Sequence, residues 1–132
     1  MSTHLFTVAG ADAVDLNLIA ASLRLQIDGL PPGKSKLAAQ QLNTQNGVES
    51  YLVVVRGHET PHIHPDGDLI ITVLEGGGYL ELSGGKADAP AGSVIVVPKG
   101  VCHAYFNKAH GDSMLLATFS PKNSKADCPT TS

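Results

Sequence analysis

The run Gly92-Ser93-Val94-Ile95-Val96-Val97-Pro98-Lys99-Gly100-Val101-Cys102-His103-Ala104-Tyr105-Phe106-Asn107 holds two apolar segments parted by Pro98-Lys99-Gly100. Val94 to Val97 is β-branched throughout, which suits a buried strand. A proline followed two residues later by glycine ends that strand in a turn. The chain then resumes as a second strand from Cys102 to Asn107. Side chains alternate across a strand, so His103, Tyr105 and Asn107 share one face and Cys102 takes the other. The stretch predicts strand, tight turn, strand, with one imidazole aimed away from Cys102.

The same pattern extends in both directions. Lys36–Leu42, Tyr51–Arg56, Leu69–Leu74, Tyr79–Leu82 and Ser113–Phe119 are short runs of strand-forming residues, separated by signals such as Asn46-Gly47, Gly57, Gly76-Gly77-Gly78 and Gly84-Gly85. With 14 glycines and 8 prolines in 132 residues, and only 16% charged and 5% aromatic residues, the composition excludes a coiled coil, a helical bundle and a disordered chain. Eight or so strands at this spacing predict an all-β sandwich or barrel in a single domain. Upstream, Asp12–Ser22 reads as a short helix, with Leu16, Ile19, Ala20 and Leu23 at near-helical spacing. Leu23, Leu25 and Ile27 alternate with Arg24, Gln26 and Asp28, which reads as a strand ended by Pro31-Pro32. The expected organisation is an N-terminal extension over 1–35, a barrel over 36–120 and a flexible tail over 121–132.

Three of six histidines fall between residues 58 and 64. His62 and His64 are two apart, which on an extended strand sets two imidazoles side by side. His-x-His alone is a weak metal signal, but His103 follows about forty residues later on a strand of its own. His58, in His58-Glu59-Thr60-Pro61, reads as a surface residue, and His4 and His110 lie in no motif.

Together these segments resemble the cupin superfamily. Gly92 to Asn107 fits the second cupin motif, G-x5-P-x-G-x2-H-x3-N, without a mismatch. In the first, G-x5-H-x-H-x3/4-E-x6-G, His62, His64 and Gly76 fit, while Gly57 stands one residue too close and the glutamate is missing. The resemblance covers about 36–120 and implies an antiparallel jelly-roll β-barrel that binds a divalent metal through His62, His64 and His103. The glutamate position falls on Leu69 counted back from Gly76, or on Asp68 counted forward from His64. Asp68 is the candidate fourth ligand; the alternatives are that it caps the Pro65-Asp66-Gly67 turn or touches a histidine ring nitrogen. Tyr105 is a candidate catalytic hydrogen-bond donor beside the metal, or else a core aromatic.

Imidazole ligands suit iron, manganese, nickel, zinc or copper and do not choose among them. Within the superfamily, sites of three histidines resemble those of iron-dependent dioxygenases, and the expected substrate is a small, partly apolar molecule. The other reading is a non-catalytic cupin that senses or stores a metal or small ligand. Nine scattered basic residues and a net charge of −3 speak against a nucleic-acid partner, and no window of 18 apolar residues predicts a membrane span. The start MSTHLFTVAG does not read as a secretory signal, so the expectation is a cytoplasmic protein with Cys102 and Cys128 both reduced and Cys102 a small core residue. Small cupins often pair as dimers, and Leu23–Ile27 is a candidate edge for a homodimer or for extending its own sheet.

Overall fold

The computed structural model describes residues 3–45 and 47–129. Asn46 of the expected Asn46-Gly47 turn and residues 130–132 of the expected tail lie outside them. The elements in chain order are β1 (Leu5–Phe6), β2 (Val14–Asp15), α1 (Leu16–Asp28), β3 (Leu37–Gln45), β4 (Val48–Val55), β5 (His62–Ile63), β6 (Asp68–Glu75), β7 (Gly77–Leu82), β8 (Gly85–Pro90), β9 (Val94–Val97), β10 (His103–Asn107), β11 (Ser113–Ser120) and β12 (Ala126–Asp127).

Ten of these strands form two antiparallel five-stranded sheets, in spatial order β12-β5-β10-β7-β8 and β3-β4-β11-β6-β9, while β1 and β2 make a separate ribbon. From β4 onward every connection except the β7–β8 hairpin crosses from one sheet to the other. That is a jelly roll, as the strand count and the family resemblance both predict. Gly76 shows why glycines cluster at its turns. Its φ is +83°, and a Cβ there would meet Asp112 O at 2.6 Å, so only a residue without a side chain fits.

Strand alternation divides the apolar residues into two cores. Val55, Leu69, Ile71, Val73, Leu80, Tyr105, Leu115 and Phe119 fill the space between the sheets. Leu52, Val54 and Met114 point the opposite way and pack under Leu16, Ala20, Leu23 and Ile27 of α1. The strands β4 and β11 are therefore apolar on both faces, because one faces the barrel interior and the other the helix.

The helix corrects the reading of Leu23–Ile27 as a strand. Leu16, Ala20, Leu23 and Ile27 are spaced by four, three and four residues and form one buried stripe, while Leu25 is 73% exposed. Leu23 and Ile27 belong to that stripe as well as to the alternation, and the run continues a helix whose N-cap is Asp15, Oδ1 accepting from Asn17 N–H at 2.9 Å. Its backbone hydrogen bonds are internal, so this segment is no edge for strand pairing, with a second copy or with its own sheet. Arg24 and Arg56 tie helix to barrel, Arg24 Nε and Nη2 to Asp112 and Arg56 Nη1 to Asp28 Oδ1 at 2.6 Å.

The region after β11 also departs from expectation. Ala126 and Asp127 pair with Ile63 and His62 as an edge strand, so the described part of the tail is docked on the barrel.

The helical register has a direct test. Leu23→Ala is expected to cost about 2–5 kcal/mol in urea unfolding, the range for a truncated core leucine. Leu25→Ala is expected to stay within about 0.5 kcal/mol. Equal costs would contradict this packing.

Candidate metal centre

Two adjacent strands bring the histidines together. β10 pairs with β5 so that His103 lies opposite His62, and His64 follows on the same side two residues later. All three are buried, at 5%, 6% and 1% exposure for His62, His64 and His103. Their ring centroids are 4.4–5.0 Å apart, and one nitrogen from each converges so that all three lie within 4.8 Å of one another.

Hydrogen bonds to backbone carbonyls assign the ring nitrogens. Nδ1 of His62 faces Thr60 O at 2.8 Å, Nδ1 of His103 faces Val101 O at 2.9 Å, and Nδ1 of His64 faces Ser124 O at 2.6 Å. A carbonyl oxygen only accepts, so each Nδ1 carries the proton and each neutral ring presents a bare lone pair on Nε2. The Nε2 atoms of His62 and His64 stand 3.1 Å apart, and the buried Nε2 of His103 has no hydrogen-bond partner among the described residues. Three inward lone pairs with no donor between them fit a bound cation, and the carbonyl-anchored Nδ1–H is the support metal-bound histidines use.

Burial lowers the proton affinity of all three imidazoles, that of His64 to about 4, which keeps them neutral and able to ligate at pH 7. One carboxylate joins them. Glu59 accepts from Tyr105 N–H through Oε1 at 3.0 Å, and its Oε2 lies 3.9 Å from His62 Nε2. Burial raises its carboxyl above the usual range. The sequence reading missed Glu59 because it precedes His62 by three residues, on the opposite side of the histidine pair from the family's glutamate. Its signal was its place in His58-Glu59-Thr60-Pro61, immediately before the pair.

A cavity of about 220 Å³ opens on Glu59, His62 and His64. Leu37, Val53, Ile71 and Leu115 give it an aliphatic wall, and Phe119 packs edge-on against His64 at 4.7 Å. Its polar side chains are Tyr51, Glu59, His62, His64, Asn123 and Lys125.

Several expected residues lie elsewhere. Asp68 is exposed and accepts from Lys99 N–H at 2.9 Å, so it is neither a ligand nor a cap of the preceding turn, and it does not touch a histidine. Strand parity explains this, because Leu69 takes the inward position and lines the cavity. Tyr105 is a core aromatic whose hydroxyl donates to Ser113 Oγ at 2.8 Å, and it is not among the cavity-lining residues. His58 is exposed and stacked on Phe106, His110 is exposed, and His4 is held by Glu75 Oε2 at 2.9 Å.

The cysteines are not free thiols. Cys102 and Cys128 form a disulfide, with Cα atoms 5.5 Å apart, and Cys102 is half-buried. Asp127 pairs with His62 and His62 with His103, which brings the end of β12 back to the residue before His103. A separation of 26 residues carries no local sign of this closure. The bond overturns the expectation that both thiols are reduced. No helix of the described residues is long and apolar enough to cross a membrane. The disulfide fastens a strap, 123–128, that supplies Ser124 O to His64, a hydroxyl to Asp66 N–H, and Asn123 and Lys125 to the cavity.

The family model of the cupin domain matches residues 51–119. A protein of Aquifex aeolicus (strain VF5), described as uncharacterized, is 41% identical over 81 residues, which is 61% of this chain and 66% of that protein. The chain thus spans just under two thirds of that relative's length. KdgF from Halomonas sp. is structurally similar with a TM-score of 0.62 and 27% identity, over 72% of this chain and 84% of that one. An oxalate oxidase solved with glycolate has a TM-score of 0.64 at 24% identity, over 75% of this chain and 58% of its own, a likeness of fold.

Two outcomes follow from the site. In metal-free protein, His64 has its proton affinity lowered on folding, from 6.5 to about 4. Its contribution is full above pH 6.5 and is lost as pH falls towards 4. Wild type is expected to lose up to about 3 kcal/mol relative to His64→Gln between pH 7 and 4, by urea unfolding. Second, reducing the disulfide with dithiothreitol, or replacing both cysteines by serine, is expected to weaken zinc binding about 10–100-fold, as loss of a ligand's hydrogen-bond support does. Unchanged affinity would mean the strap stays docked without its crosslink.

Proposed function

The chain belongs to the cupin family, and from that premise we propose that it is a metal-dependent enzyme of the oxygenase type acting on a small, partly apolar organic molecule. The observation that carries this reading is the set of three carbonyl-anchored imidazoles whose Nε2 lone pairs converge beside a cavity that His62 and His64 line. His62, His64 and His103 hold the ion, and as neutral ligands they leave its double charge intact. A bound divalent transition ion supplies Lewis-acid chemistry and, when redox-active, electron transfer. Iron is the ion this reading favours.

The chain's own groups have distinct parts. The aliphatic wall of Leu37, Val53, Ile71 and Leu115 seats the apolar body of the substrate and excludes water. Glu59, fixed through one oxygen by Tyr105 N–H and facing His62 with the other, holds or moves a proton at Oε2. The 3.9 Å between Glu59 and His62 also supports a second reading, in which Glu59 completes a closed four-ligand site in a non-catalytic metal-binding protein.

Metal analysis after anaerobic purification, with oxygen uptake on a panel of diketones, thiols and flavonoids, tests the first reading. Bound iron and turnover are expected, both lost in His62→Ala and His103→Ala. Glu59→Gln is expected to keep the metal and lose about 10²–10⁴-fold in kcat. Loss of the metal from Glu59→Gln, with no turnover by wild type on any panel member, would favour the closed site.

A further inference from the structure

A second groove of about 300 Å³ adjoins the cavity and shares Leu37, Glu59 and Lys125 with it as a common wall. Lys34, Ser35 and Thr60 complete its polar lining. No hydrogen bond or ion pair among the described residues holds the ammonium of Lys34 or Lys125, and both side chains are exposed. Among the described residues Glu59 is the only acidic one in either lining, and its oxygens are turned to Tyr105 N–H and towards His62. The two lysines thus line the groove without an ion pair among the described residues, with Glu59 the acidic group in electrostatic range of Lys125, in a chain of net charge −3.

We propose that Lys125, with Lys34 on the same groove, binds the carboxylate of the substrate, which is therefore a small organic acid whose apolar body lies in the cavity lined by His62 and His64. This deepens the proposed function and rests on its assignment of the cavity as the substrate site. The two lysines come from different parts of the chain, the loop after α1 and the strap, and meet at one groove. Lys125 lines both spaces, so an acid held by it reaches into the aliphatic cavity without leaving the ammonium. Its charge already acts on Glu59 and His62 across the shared wall, which puts a bound carboxylate within electrostatic range of the cluster. A neutral molecule of the same shape gains no ion pair with either exposed ammonium, so selection falls on charge as well as on size, in a salt-dependent way.

Isothermal titration of zinc-loaded protein with hexanoate and hexanamide tests this. Wild type is expected to bind hexanoate at least tenfold more tightly than the amide, with affinity falling as salt rises. Lys125→Met and the double variant Lys34→Met/Lys125→Met are expected to lose that tenfold preference at unchanged zinc content, and Lys125→Arg to retain it. Hexanoate that does not bind, that binds no better than the amide, or that binds the methionine variants as tightly as wild type overturns the lysine assignment. The titration is repeated on metal-free protein, and zinc content is measured separately for wild type and His62→Ala. Zinc uptake that ignores His62→Ala breaks the metal reading and leaves the lysine result standing.

Discussion

Three hydrogen bonds from histidine Nδ1 to backbone carbonyls set everything the site can do. Each fixes a tautomer, and together they turn three lone pairs towards one point. Two are local, reaching back two residues from His62 to Thr60 and from His103 to Val101, so the loops entering β5 and β10 build them without help. The third spans sixty residues, from His64 to Ser124, and exists only because the chain returns after β11. The strap is thus structural support for the centre as well as part of its wall.

The barrel can afford so polar a spot because its other surfaces are filled. The helix covers the outer faces of Leu52, Val54 and Met114, which frees Tyr51, Val53, Leu115 and Phe119 on the same strands to face inward. Where the inner core reaches the histidines it stops being closely filled and becomes the cavity. The low dielectric of that aliphatic surround keeps the imidazoles uncharged and holds the Glu59 carboxyl above its usual range.

Much of this was legible in the residues. Period-two runs of Val, Ile and Leu bounded by Gly and Pro located most barrel strands, and strand parity with the two motifs brought His62, His64 and His103 together. Parity also accounts for Asp68 in the structure, where its neighbour Leu69 lines the cavity. What escaped notice was what local pattern does not encode. Leu23, Leu25 and Ile27 satisfy a strand's alternation and, in part, a helix's stripe, and the docking of α1 on β4 decides between them. Gly85–Pro90 carries no β-branched residue and forms β8 because it pairs with β7. Glu59 and Tyr105 differ in role through long-range packing, since Glu59 is drawn in by Tyr105 N–H while the Tyr105 ring is absorbed into the core. The disulfide and the docked strap are likewise long-range closures that composition does not mark.

The sixty-residue span between His64 and Ser124 has a consequence for the order in which the molecule matures. Contacts between distant residues carry a larger loop-closure cost than local ones. A chain that has formed the β5–β10 pairing but not docked its strap offers His62 and His103 as ligands, with His64 lacking the carbonyl that orients it. The full set of oriented donors therefore depends on a contact made sixty residues away along the chain, and not on the two histidine strands alone.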